Sequence, residues 1–428
     1  MAIKILAAAD LHLGKRSSGL PDDATDISTK YTWDQLVRWA IDNEVDVVAL
    51  SGDIVDQENG YFEAVGPLQA GLNALGQAGI EVFIVAGNHD YKVLPPLINV
   101  QLPHVHLLGR AGEWQLVPFT KNGETVQFVG WSFPHQYVKV SPLGTIGRLN
   151  PDPNHAVIGL LHADLDIPDS IYCPVSRQDL VATGIRTWVL GHIHKPCALD
   201  LAGTTIHYPG SLQAQSAKEP GAHGFLLMTV LEKDRINIEP VFLSTVRYER
   251  LDVDISRADT RETLWELIHS AAMTDARRRL PELDNVRHLT YDLIFTGEHA
   301  NGMQVKGWAE ASQGDLANPV SPVTTVYIRK VSSAIRPAVG NLRELSGEPS
   351  PAGMLASLIL AIRENRSTPL LSELEEKWRK AERNLSVAAV YQPLTETGAM
   401  EPADAREYLI KELNRSLTEL LLQKSTMQ

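Results

Sequence analysis

Five short segments carry side chains that bind divalent metals: Asp10-Leu11-His12, Gly52-Asp53, Gly87-Asn88-His89-Asp90, Leu161-His162 and Gly191-His192-Ile193-His194. Imidazole and carboxylate together suit Mn, Fe, Zn, Co or Ni. Asp10 and His12 are two residues apart, so on an extended segment they share a face, and His192 and His194 repeat that spacing. Asp53 is the candidate bridge. One carboxylate shared by two cations sets them about 3.5–4 Å apart, the separation used in two-metal hydrolysis. Gly52 lets the backbone approach closely there. Asn88 adds a neutral oxygen donor. Two such metals clamp a phosphate and lower the pKa of a bound water that attacks in line. His89 can then protonate the leaving oxygen, and Asp90 beside it can orient the ring.

Taken singly, these signals are weak. A lone histidine at a strand end is usually structural, and a lone Gly-Asp is usually a turn. The argument rests on five of them in one order, each at the end of an apolar run. His104, His106, His135, His155, His207, His223, His269, His288 and His299 have no such setting and read as structural.

The positioning elements are strands alternating with helices. Ile3–Ala9, Val45–Leu50, Val82–Val85, Gln127–Trp131, Val157–Leu161 and Thr187–Leu190 read as strands. In Tyr31–Asn43, Trp33, Leu36, Val37, Ala40 and Ile41 share a helical face. Glu63–Ala78 reads as helix despite Gly66, Pro67, Gly71 and Gly76. Alternation of this kind predicts a layered α/β or α+β domain, and strand ends are where its ligand sites gather. A small α+β unit follows, with Leu251–Ile255, His288–Phe295 and Thr324–Lys330 as strands and Arg261–Ser270 as helix. Ser332–Gly353, rich in Gly, Pro and Ser, reads as a linker. Leu355–Arg363, Leu370–Arg383 and Ala403–Gln423 read as amphipathic helices; Leu409, Leu413, Leu417 and Leu420 face either their own unit or a partner.

A chain of 428 residues is long enough for two or three domains. No apolar run reaches the roughly 20 residues of a membrane span, and Ile3–Ala9 is too short and wrongly flanked for a signal peptide. Cys173 and Cys197 suggest no disulfide framework, so the expected compartment is the cytoplasm. The net charge of −13 runs against the clustered Lys and Arg that phosphate binding usually needs, but metal-ligand carboxylates count as negative until loaded, and Lys15-Arg16 and Arg277-Arg278-Arg279 are local basic clusters that give DNA binding weak support.

The order D-x-H, G-D, G-N-H-D, H, G-H-x-H resembles the calcineurin-like metallophosphoesterase superfamily across residues 1–245. That resemblance implies an α+β fold: a four-layer metallophosphoesterase sandwich with a small α+β capping domain and a helical C-terminal segment. It implies one metal on Asp10, His12, Asp53 and His194, a second on Asp53, Asn88, His162 and His192, and His89 as general acid, with manganese the expected metal. Ala9-Asp10-Leu11-His12-Leu13-Gly14, Tyr208-Pro209-Gly210-Ser211-Leu212-Gln213 and Gly221-Ala222-His223-Gly224-Phe225 look most similar to bacterial DNA repair exonucleases of the SbcD/YhaO type. The implied layout is a nuclease domain (1–245), a capping, DNA-binding domain (246–335) and a partner-docking segment (350–428). The implied partners are DNA, an SbcC-like coiled-coil ATPase and a second copy of the chain. Two departures stand out. Asp56 replaces a histidine found in archaeal and eukaryotic relatives, and Leu212-Gln213-Ala214-Gln215 lacks an arginine found in some YhaO-like proteins. Gln57 and Asp90 argue against the phosphoprotein phosphatases. A phosphoesterase of small phosphodiesters or monoesters, and a mainly architectural DNA-tethering subunit, are the competing expectations.

Overall fold

The computed structural model describes every residue except 1, 22, 57–60, 99–101, 234, 300, 311–316, 337–338, 387–401 and 427–428. Gln57 therefore lies outside the described residues. The chain divides into two compact units. The first comprises Met1–Arg250, Met273–Asp292 and Ala317–Arg329; the second comprises Leu251–Ala272, Leu293–Leu316 and Lys330–Gln428.

In the first unit the strands follow in order β1 (Ile3–Ala8), β2 (Val47–Ser51), β3 (Glu81–Val85), β4 (Val105–Leu107), β5 (Gln115–Lys121), β6 (Glu124–Trp131), β7 (Ala156–His162), β8 (Asp164–Leu165), β9 (Pro174–Val175), β10 (Thr187–Gly191), β11 (Cys197–Leu201), β12 (Thr204–Tyr208), β13 (Gly224–Glu232) and β14 (Arg235–Phe242). One sheet has the order β14-β13-β1-β2-β3-β4 and a second the order β11-β12-β10-β7-β6-β5. β1 to β4 are mutually parallel, as are β6, β7, β10 and β12. Parallel strands side by side end at one edge, so the loops after β1, β2, β3, β7 and β10 can meet.

The layers follow from alternation along each strand. Ile5, Ala7, Val47, Ala49, Phe83 and Val85 face inward and pack with Phe128, Ile158, Leu160 and Val189 of the second sheet. Leu6, Ala8, Val48, Leu50, Val82 and Ile84 face the other way, onto the helices α1 (Thr29–Asp42) and α2 (Tyr61–Gln77). Both faces are buried, which is why these strands read as unbroken apolar runs. Beyond the second sheet, Trp131, Leu161, Trp188, Leu190 and Leu180 form the last packed layer.

Helix α1 is capped by the Ser28 side chain, which accepts from the Tyr31 backbone N–H at 3.2 Å. Pro67 and Gly71 persist inside α2 because Trp33 lies there. Its indole Nε1 donates to the Pro67 carbonyl at 3.1 Å, and a Cβ on Gly71 would fall 2.4 Å from that nitrogen.

The second unit corrects one expectation. Ser332–Gly353 is not a plain linker: a strand continues through Ser333 and a helix spans Val339–Ser346. Leu342 of that helix is fully buried against Leu358, Ile359, Leu371, Leu413 and Leu417. The apolar stripe of the last helix (Pro402–Thr426) therefore packs on its own unit. Among the described residues no helix is long and apolar enough to cross a membrane.

Leu417→Ala should lower the stability of the helical unit by about 2–5 kcal/mol, seen as earlier thermal unfolding and faster proteolysis of the tail. Unchanged unfolding would place that leucine outside the packed core.

Candidate metal centre

Asp10 and His12 follow β1, Asp53 follows β2, Asn88 and His89 follow β3, His162 closes β7, and His192 and His194 follow β10. All seven predicted ligands converge. His12 and His194 aim their Nε2 atoms at each other across 3.1 Å. Asp53 Oδ2 lies 3.3 Å from His162 Nε2 and 3.9 Å from the Nε2 atoms of both His12 and His89. Asn88 Oδ1 is 3.2 Å from His162 Nε2. Asp10 Oδ1 is 4.0 Å from His194 Nε2, and both Asp10 oxygens accept the His192 backbone N–H, at 3.0 and 3.1 Å. The His162 and His192 rings lie 5.2 Å apart edge to face.

One expectation about local geometry fails. Asp10 and His12 do not project from an extended segment, and neither does His192. Their φ angles are 51°, 45° and 100°, and Asp53 has 52°. Left-handed backbone at four non-glycine residues costs energy, and such conformers collect at functional sites. Tight packing explains the adjoining glycines. A Cβ on Gly87 would lie 2.2 Å from Asp53 Oδ1, and one on Gly52 2.6 Å from His162 Nδ1.

The electrostatics favour cations. Burial alone would raise the Asp53 pKa, but the His162 charge beside it holds the carboxyl well below the usual range. Burial opposes charging of His162, yet Asp53 outweighs it and raises the imidazole to about 9. Two ring nitrogens 3.1 Å apart cannot both present bare lone pairs; a proton or a cation must lie between them. The donor set therefore fits divalent metal, and among the described residues three His/carboxylate groups have ligand atoms close enough to share an ion: Asp10-His12-His194, Asp53-His162-His192 and His12-Asp56-His89.

Asp90 departs from its expected role. Its carboxylate does not orient His89. Oδ2 accepts the Ile54 N–H at 2.5 Å and Oδ1 accepts the Gly87 N–H at 2.7 Å, so it fastens the loop after β2 to the loop after β3. The carboxylate facing His89 is Asp56, with Oδ1 3.2 Å from His89 Nδ1 and 3.7 Å from His12 Nδ1. The Lys15 ammonium lies 3.2 Å from the same oxygen. Contact with Asp56 raises the His89 pKa against the opposing effect of burial.

The calcineurin-like phosphoesterase family profile matches residues 3–196. This chain carries a calcineurin-like phosphoesterase domain. It is similar to the uncharacterised metallophosphoesterase YhaO of Bacillus subtilis (strain 168), 29% identical over 279 residues, 62% of this chain and 66% of that protein. It is also similar to the DNA double-strand break repair protein Mre11 of Aeropyrum pernix, 22% identical over 419 residues, 88% of this chain and 98% of that one. Among solved structures, a dimetal phosphatase from Danio rerio is 13% identical, with a TM-score of 0.37 over 55% of this chain and 95% of that one.

Two further acids stand beside the double-histidine segment, Asp164 inside the matched span and Glu219 beyond it. Asp164 Oδ1 lies 3.3 Å from His192 Nε2, and Glu219 Oε1 lies 3.0 Å from His194 Nδ1. Neither belongs to a motif; an acid beside each double-histidine ring becomes visible only in three dimensions.

Asp90 and Asp56 should separate on mutation. Asp90→Leu leaves the backbone N–H groups of Ile54, Val55 and Gly87 without their carboxylate acceptor, about 1–3 kcal/mol for each buried donor left unsatisfied, so the unfolding temperature should fall. Asp56→Asn should leave that temperature near the wild-type value and slow hydrolysis of esters with poor leaving groups roughly 10-fold or more, part of the 10²–10⁴ a general acid contributes. Equal loss on good and poor leaving groups would remove Asp56 from the acid step.

Proposed function

We propose that this protein is a two-metal phosphodiesterase acting on the DNA backbone, together with an SbcC-like coiled-coil ATPase. The observation that carries the DNA assignment is the reach of the likeness to the Aeropyrum Mre11 protein. It covers 88% of this chain, far beyond the phosphoesterase match at 3–196. In this reading Asp10, His12, Asp53 and His194 hold one cation, and Asp53, Asn88, His162 and His192 hold the other, with manganese the expected metal. Bound there, the cations would supply Lewis-acid polarisation of the phosphate and a lowered pKa for water.

The side chains do the rest. Asp53 sits between the two histidine groups. His89, with 28% of its side chain exposed, has Nδ1 against Asp56 and Nε2 turned toward Asp53, from where a proton can reach the leaving oxygen. Lys15, a quarter exposed, adds fixed positive charge beside that path. The arginine cluster at 277–279 contributes less, because Arg278 and Arg279 both pair with Asp275. Residues 246–335 serve in this reading as the capping region and 350–428 as the ATPase-docking segment; a homodimer and a cytoplasmic setting belong to the same reading.

Incubation with single- and double-stranded DNA should give cleavage with Mn, none with chelator, and a loss of roughly 10²–10⁴ in rate for His89→Asn with metal content intact. Hydrolysis of bis(p-nitrophenyl) phosphate without any DNA cleavage would overturn the substrate assignment. Deletion of 350–428 should abolish co-purification with the ATPase; retained binding would move the docking site elsewhere.

A further inference from the structure

Two segments singled out in the sequence, Tyr208–Gln213 and Gly221–Phe225, contain no metal-binding group of the centre. The structure gives them a common occupation. Between them lies Glu219, with 12% of its side chain exposed. Its Oε1 is 3.0 Å from His194 Nδ1. Its Oε2 accepts the Ser211 hydroxyl at 2.8 Å and the Gln215 N–H at 3.0 Å. Ser211, fully buried, sends its own N–H to the His194 carbonyl at 3.0 Å. Behind it, His223 Nδ1 lies 3.0 Å from the Ser211 hydroxyl, and His223 Nε2 lies 3.2 Å from the Glu219 carbonyl. Ser211, Gln215 and His223 thus hold the segment around one carboxylate, whose other oxygen meets the back of the His194 ring.

A neutral imidazole donates from one nitrogen and accepts at the other, and the partner of the first decides which is which. A carboxylate accepts only. Glu219 therefore keeps the hydrogen of His194 on Nδ1 and leaves the lone pair on Nε2, the atom that faces His12 Nε2 at 3.1 Å and Asp10 Oδ1 at 4.0 Å. We propose that Glu219 is the positioning residue of the Asp10-His12-His194 side of the centre, held by Ser211 and His223, and that it commits His194 to bind a divalent cation through Nε2. The proposal rests on the two-metal reading above.

The test is calorimetric titration of Mn²⁺ into the metal-free full chain, with thermal unfolding of each metal-free protein in parallel. Wild type should bind two ions. Glu219→Ala should weaken one binding step roughly 10- to 100-fold, the usual effect of losing such an outer partner, and leave the other step and the unfolding temperature near wild type. Glu219→Gln, which keeps an oxygen acceptor for Nδ1–H, should recover much of the lost affinity. Ser211→Ala removes one anchor and should show a smaller loss at the same step, which decides the matter if Glu219→Ala does not fold. Two unweakened steps in Glu219→Ala would overturn the proposal. So would an equal weakening of both with a lowered unfolding temperature, the mark of a purely structural role. Absence of Mn²⁺ binding in wild type would instead overturn the two-metal reading.

Discussion

A single buried carboxylate makes the arrangement of the centre attainable. Asp90 accepts N–H groups from Ile54 and Gly87, so the loops after β2 and β3 are held edge to edge. Burial beside the Asp53 charge pushes the Asp90 carboxyl up, and the backbone donors oppose that. Because those loops are tied, Asp53 Oδ1 can accept the His89 N–H at 3.0 Å, and Asp53 Oδ2 can face His12, His89 and His162 together. A second tie works on the other sheet. The Ser51 hydroxyl donates to the Val189 carbonyl at 2.9 Å, and the Ser51 carbonyl lies 3.0 Å from His162 Nδ1. The two sheets are thereby registered at the level of the ligands.

Much of this was legible in the chain. The apolar runs ending in Asp, Asn or His are the cores of β1, β2, β3, β7 and β10, because parallel strands buried on both faces leave a continuous hydrophobic trace. Gly52 was legible too, since only a residue without Cβ fits against His162; the same need at Gly87, against Asp53, was not. The role of Asp90 was misread. Adjacency in sequence suggested a partner for His89, whereas the turn at Gly87–Asp90 points the two side chains to different places. Asp56 stood out as a departure from relatives, but its contact with His89 depends on two loops meeting, which spacing along one strand does not encode.

Other errors share a cause. Ser332–Gly353 has a linker's composition, yet Leu342 inside it is wholly buried. Tertiary burial overrode a local tendency there, as it did in α2, where Pro67 and Gly71 fit beneath Trp33. Glu219 is the opposite case. It sits 25 residues from His194 in a stretch with no regular element, so nothing periodic marks it.

The strand order has a consequence for how this domain can be divided. All seven donors lie within the first 194 residues, inside the span that the family profile covers. The strand that pairs with β1 on its other side is β13, at Gly224–Glu232, and the strand beside β10 is β12, at Thr204–Tyr208. A fragment cut at the profile's end would keep every donor but strip neighbours from the two strands on which Asp10 and His192 depend. It would also expose two rows of unpaired backbone groups, an invitation to self-association. The smallest piece able to stand alone is therefore set by sheet closure rather than by where the chemistry stops.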